Sequence, residues 1–204
     1  MKKNVIIIGA GGHGKVVADI ILRSCDTVLG FLDDAAQLPP AIAGIPVLGT
    51  VSDYSKFSDA AFVIAVGNNA IRRKIASQLA DVTWHTAIHP SAVVSPVDTH
   101  IGEGTVIMAN AVINPGAVVG NHCIVNTSAV VEHDNRLGDF VHLSVGAKLG
   151  GTVSIGDNTF VGMGSTVINN ITVSSDSIIG AGSVVLRDLS ISGTYAGIPA
   201  KQIK

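Results

Sequence analysis

One of the seven histidines in this 204-residue chain stands between two carboxylates, in the run Glu132-His133-Asp134. Imidazole titrates closer to neutral pH than any other side chain. A histidine with an acidic neighbour is therefore a group that can take a proton from a nucleophile and give it back. His142 lies nine residues further on; His100 and His122 have no adjacent carboxylate, and His85 and His89 fall where the sequence changes character. A second constellation opens the chain. Gly9-Ala10-Gly11-Gly12-His13-Gly14 follows the apolar run Val5–Ile8, a G-x-G-x-x-G turn whose Gly11, Gly12 and His13 can offer backbone N–H groups to phosphate at a helix N-terminus. Asp33 follows about twenty residues later, at the distance where an acidic side chain reaches a ribose or base. Both constellations have plainer alternatives: glycines that only allow tight strand–helix packing, and a histidine that is simply solvated.

Composition narrows the setting. Charged residues make up 14% of the chain, hydrophobic residues 47% and aromatics 4%, with a net charge of −2. That is too apolar for disorder, and the charge gives no electrostatic case for nucleic acid or an anionic membrane. No apolar run has membrane-spanning length, and Val5–Ile8 is too short for the core of a signal peptide. A cytoplasmic protein is expected, without membrane insertion. Cys25 and Cys123 match neither a disulfide framework nor a metal site; no metal is expected.

Two kinds of element must position these residues. Over residues 1–85 strand-like and helix-like segments alternate: strands at Val5–Ile8, Thr27–Leu32, Ile45–Leu48 and Ala61–Val66, helices at His13–Arg23 and Asn69–Leu79. This is a βαβ pattern with a parallel sheet, and Val16, Val17, Ile20 and Ile21 form the expected buried face of the first helix. A dinucleotide site needs two such halves. Only one fits before the pattern ends, so the turn suits a single nucleotide better than NAD.

The character changes near His89-Pro90, and from Ile101 the period is six. Every sixth residue from Ile101 to Val185 is aliphatic, fifteen positions without an exception, and four residues after most of them comes a small side chain such as Thr105, Ala111, Ala117, Cys123 or Ala129. Neither a helix nor an alternating strand has this period; a hexapeptide β-helix does. Three hexads complete one circuit of a triangular prism, and circuits stack at about 4.8 Å. Residues 101–190 make five coils, with glycines such as Gly102, Gly120 and Gly138 expected to provide tight corners. His133 and His142 are one and a half hexads apart, so their side chains leave the prism in roughly opposite directions. If both serve one site, that site combines two chains.

The segments "GAGGHGKV", "FLDD", "AVGNN", "NTSAVVEHDNRLGDFVHLSVGAKLGG" and "AGIPAK" occur in this order across nearly the whole chain. In them the sequence resembles the hexapeptide-repeat sugar acyltransferases of the NeuD/PglD type. The resemblance implies a fold with an α/β Rossmann-like half domain over residues 1–85 and an all-β left-handed parallel β-helix over residues 86–204. It implies an acetyl-CoA-dependent N-acetyltransferase acting on the 4-amino group of a nucleotide-linked amino-dideoxy sugar, UDP first among nucleotides, for glycan or surface polysaccharide synthesis. O-acetylation of sialic acid or a related sugar is the alternative. By the same resemblance His133 is the base, Asp134 orients it, and Gly151 is a candidate oxyanion donor. His142, Met163, Ala181 and Lys201 meet acetyl-CoA; Gly11, Gly12, His13, Asp33, Asp34 and Gly67 meet the nucleotide sugar; and the assembly is a homotrimer with sites between prisms. A zinc β-helix of the carbonic anhydrase kind would need three histidine ligands, and only two are suitably placed.

Overall fold

A computed structural model describes residues 2–204. The N-terminal unit runs β1 (Asn4–Ile8), α1 (Gly12–Arg23), β2 (Thr27–Leu32), β3 (Ala41–Ile42), β4 (Ile45–Gly49), a 3₁₀ turn at Val51–Phe57, β5 (Ala61–Ile64), α2 (Asn69–Gln78) and β6 (Thr83–Trp84). The sheet order is β3-β4-β2-β1-β5-β6. All pairings are parallel except β3 with β4. In β1 Val5 to Ile8 are fully buried, as a strand covered on both faces requires. The sequence also points to one feature of α1 that the structure corrects. Gly14, Val17, Ala18 and Ile21 face the sheet at i, i+3, i+4 and i+7, with Ile20 beside them, whereas Val16 falls outside this stripe and is exposed.

From Ala87 on, two-residue strands wind into a three-sided, left-handed parallel β-helix. Strands one circuit apart pair in parallel along each face: Ile124 with His142 and His142 with Phe160 on the first, Val130 with Lys148 on the second, Arg136 with Ser154 on the third. The hexad aliphatics from Ile107 to Val185 point into the prism and are buried, and the small residues pack beside them in one continuous core.

The winding is longer than the hexad frame suggests. Two strands, Ala87–Ile88 and Val93–Val94, precede it and complete a first coil with His100–Ile101. One additional residue between Val94 and Ile101 shifts the period, so these two strands are out of phase with the rest. At the other end Thr194–Ala196 adds a strand beside Ile178–Ile179, and Lys201–Gln202 folds back antiparallel onto it.

The corners also differ from expectation. Left-handed backbone falls three residues after each inward aliphatic from Ile101 to Ile179, for instance at Ser128, Asp134 and Phe140, rather than at the glycines next to it. Those glycines answer to a different constraint. A Cβ on Gly138 would come within 2.8 Å of Asp157 N on the next coil, and one on Gly120 within 2.6 Å of Gly138 O. They let successive coils approach to strand spacing.

The two units share a core. Outward-facing Val106, Met108 and Ile124 on the first face are buried against Val17, Ile20 and Ile21 of α1. At the nearby corner Trp84 meets the His122 ring edge-on at 4.5 Å, and that ring stacks on Phe140 at 5.2 Å. Asn69 Nδ2 donates to Asn158 O and Thr159 O, both at 3.1 Å, tying the start of α2 to the prism.

Candidate active site

His133 sits at the corner between the second and third faces, just beyond the strand Val130–Val131. Its Nδ1 lies 2.8 Å from Asp134 Oδ2, with both side chains more than half exposed at 55% and 64%. Asp134 is held in the left-handed region at φ +60°, and its N–H donates to Pro115 O on the coil below. This corner conformation turns the carboxylate back toward the ring. With Nδ1 donating to a carboxylate, Nε2 is left as the basic nitrogen.

Gly151 occupies the equivalent place one coil above, and the ring lies against it. A Cβ there would come 2.5 Å from His133 Nε2. The missing side chain keeps space open at the atom that would move a proton. Among the described residues the Gly151 N–H has no acceptor.

His142 leaves the prism from the first face, on a different side from His133, and no hydrogen bond joins the two within the chain. The ring is 7% exposed. Its Nδ1 is 3.1 Å from Gly67 O in the N-terminal unit, its Nε2 is 3.1 Å from Asn126 Nδ2, and Phe160 contacts it edge-on. Since Nδ1 faces a carbonyl, it carries the proton, and Nε2 accepts from the Asn126 amide. Burial lowers the His142 pKa to about 4, with the Arg72 and His13 charges adding to the effect and the Gly67 bond opposing it. His13 is likewise lowered to about 4, by burial and then Arg72, and its Nε2 is buried without a partner.

His142 marks where cover by the N-terminal unit ends. Along the outward ladder of the first face Val106 and Ile124 are buried, Phe160 is half-buried and Ile178 is exposed. A cavity of about 320 Å³ opens there, lined by Gly67, Asn69, Phe160 and Ile178 among others. Met163 and Ala181 are exposed on the adjoining edge, and Gly182 N donates to Met163 O between their coils. Lys201 is exposed on the terminal strand that continues the first face. These three residues thus lie on the coils above His142.

At the glycine turn Gly11, Gly12 and Lys15 line a second cavity of about 410 Å³, closed by Pro39, Ala41 and Ile42. Asp33 does structural work in this turn. Its Oδ2 accepts from Ala10 N at 2.7 Å and its Oδ1 from Ala35 N at 2.8 Å, while Asp34 Oδ1 accepts from Val51 N at 2.8 Å. Asn126 and Arg72 had no signal in the sequence; Asn126 meets the His142 ring sixteen residues on, and Arg72 reaches the His122 and Phe140 carbonyls of the prism. Cys123 is fully buried and burial pushes its thiol up to about 12, which rules it out as a nucleophile near neutral pH. Among the described residues no three His, Cys, Asp or Glu side chains group as a metal site, and no helix is long and apolar enough to cross a membrane.

Comparison with known proteins joins these features. Residues 4–79 match the PglD N-terminal domain family, and residues 98–133 match the bacterial transferase hexapeptide family of six repeats. The chain is 44% identical over 121 residues to UDP-N-acetylbacillosamine N-acetyltransferase of Bacillus subtilis, spanning 52% of each chain. It is 31% identical over 156 residues to GDP-perosamine N-acetyltransferase of Escherichia coli O157:H7, spanning 72% of this chain and 70% of that one. The first of these matches therefore covers about half the length of the curated relative. Among solved structures, the acetyltransferase domain of PglB from Neisseria gonorrhoeae in complex with acetyl coenzyme A superposes with a TM-score of 0.94 at 40% identity, covering both chains fully. PerB from Caulobacter crescentus in complex with CoA and GDP-perosamine gives 0.92 at 40% identity over 98% of this chain and 97% of that one. With a single nucleotide-type half domain docked on a left-handed prism of hexads, and both parts matched in order, the chain belongs to the hexapeptide-repeat sugar acyltransferases of the NeuD/PglD type.

Proposed function

We propose that this protein transfers the acetyl group of acetyl-CoA to the 4-amino group of a nucleotide-linked amino-dideoxy sugar, UDP first among nucleotides. The observation that carries this reading is the exposed His133–Asp134 pair at 2.8 Å, with the ring packed against the bare Gly151. In the reaction the neutral amine attacks the thioester carbonyl and a C–N bond forms. His133 Nε2 takes the amine proton while Asp134 stabilises the resulting imidazolium. The Gly151 N–H donates to the oxyanion, the C–S bond breaks, and the proton passes to the departing thiolate.

The acetyl donor lies along the edge marked by His142, Met163, Ala181 and Lys201, with its thioester end at His142. The nucleotide sugar is held by Gly11, Gly12, His13, Asp33, Asp34 and Gly67. Each Asp33 oxygen keeps a lone pair beyond its backbone bond. Because His133 and His142 leave different faces of one prism, the working unit is a homotrimer in which His133 of one chain meets His142 of the next. We place the enzyme in the cytoplasm, in glycan or surface polysaccharide synthesis, with the nucleotide-binding unit at residues 1–85 and the acyltransferase unit at 86–204.

The test is acetyl transfer from labelled acetyl-CoA to a panel of UDP-, dTDP- and GDP-linked amino sugars, with sialic acid alongside. Turnover of a nucleotide amino sugar that is lost in His133→Ala supports the reading. Turnover of sialic acid alone would replace it with O-acetylation.

A further inference from the structure

Arg72 is an arginine buried without a carboxylate. It is 1% exposed, and no acidic group among the described residues lies within ion-pair distance. Its guanidinium is instead spread over carbonyl and amide oxygens from both units. Nε donates to His122 O at 2.7 Å and Nη2 to Phe140 O at 2.8 Å, both at a prism corner. Nη1 donates to Val66 O at 2.9 Å and reaches Gly67 O at 3.4 Å, while Nη2 also donates to Asn69 Oδ1 at 2.9 Å. A buried charge without a counter-ion is expensive to maintain, and a lysine could not span these acceptors because only the planar fork reaches several directions at once.

The location suggests what is gained. The Val66–Gly67 turn held by Nη1 carries the carbonyl that receives His142 Nδ1. Through it Arg72 reaches a ring it does not touch. We infer that Arg72 is a positioning residue: by clamping the Val66–Gly67 carbonyls to the prism corner it fixes the His142 ring in the Nδ1–H form, with Nε2 kept as an unprotonated acceptor facing Asn126. The charged or titratable groups facing His142 are Arg72 from α2 and His13 from α1; the prism strands on either side offer only Ile124 and Phe160. Both facing groups oppose protonation of the ring. This inference deepens the acetyl-transfer reading, on which it rests for the role of His142, but its central claim concerns the ring itself and can be read without turnover.

The experiment uses the full chain with ¹⁵N-labelled histidine. In the wild type, His142 should show the Nδ1–H signature and titrate at about 4. In Arg72→Met the ring should lose that single signature, its midpoint should rise toward the ordinary 6.5, and kcat should fall roughly 10–100-fold as the reacting ends lose alignment. KM for acetyl-CoA should move less than about threefold, since the body of that ligand is gripped on the coils above. Arg72→Lys, which keeps the stem and the cation, replaces the methionine variant should that variant not fold, and should show the same mixed-ring signature with a kcat loss of roughly 10-fold. Val17→Ala loosens the same junction on the α1 side, away from the His122–Phe140 corner that Arg72 grips; it should lower the melting temperature and leave the His142 spectrum unchanged. A folded Arg72 variant with a wild-type ring spectrum and kcat would overturn the inference, as would a Val17→Ala spectrum that changes in the same way. If the wild type turns over no amino sugar, the proposed function fails while the ring spectra still decide the role of Arg72.

Discussion

His133 and Gly151 behave as one unit, and their substitution should affect rate far more than folding. His133→Gln removes the proposed base from an exposed position, so kcat should drop by ~10²–10⁴ with stability within about 0.5 kcal/mol of wild type. Steady-state kinetics and chemical denaturation on the same preparation check both halves. Gly151→Ala is the finer probe. The backbone there is not in the left-handed region, and the atoms its Cβ meets belong to a mobile ring end, so the imidazole yields rather than the prism. The expected result is a loss of roughly 10–100-fold in kcat with an unchanged melting temperature. Sequence revealed His133 and Asp134 because the carboxylate is the ring's chain neighbour, a short-range signal. Asn126, Arg72 and the burial of His142 left no comparable trace, since each depends on contacts made across the two units. Asp33 was visible as an acidic residue at the right distance, but its bonds to Ala10 and Ala35 were not.

At the scale of elements the hexad did most of the specifying. An unbroken aliphatic column requires an inward position every six residues, and this alone dictates faces, corners and circuits. It could not reveal the first coil, because one extra residue before Ile101 changes the phase, nor the terminal strands, where the step to Thr194 is shorter. The column also predicts where the fold is vulnerable. Leu149 is 1% exposed at the centre of the prism, and Leu149→Ala should cost ~2–5 kcal/mol, read from the denaturation midpoint. Gly138→Ala should cost ~1–3 kcal/mol for a different reason: its Cβ would press on the backbone of Asp157, so coils, not side chains, must separate. A glycine chosen for a corner would have tolerated a residue such as asparagine, whereas this one tolerates none.

For the molecule as a whole, the junction between units sets the response to acid. His13, His122 and His142 are lowered from 6.5 to about 4, in each case chiefly by burial and next by Arg72. The unfolded chain binds protons on these rings at pH values where the folded chain does not. Stability is therefore full above about 6.5 and is lost as pH falls toward 4, at a limit of ~3 kcal/mol per ring. Urea midpoints measured across that window should decline, and a flat profile would contradict the burial of these rings. The proposed trimer has a separate signature. Chains carrying His133→Ala and chains carrying His142→Ala, each inactive alone, should regain activity when co-expressed, because roughly a quarter of sites then draw both intact histidines from different chains. No recovery in mixed trimers would place both groups in one chain's site.

The outward ladder of the first face, buried up to Ile124 and open by Ile178, turns length along the chain into a physical ruler. Everything that docks the two units lies at or below the coil of Phe160, and Lys201 lies above it. Splicing in one whole extra circuit above Met163 would leave the docking surface intact and raise the tail by about 4.8 Å. Proteins built on this plan can thus retune the reach between the reacting thioester and the far end of its carrier in fixed increments, without rebuilding either terminus.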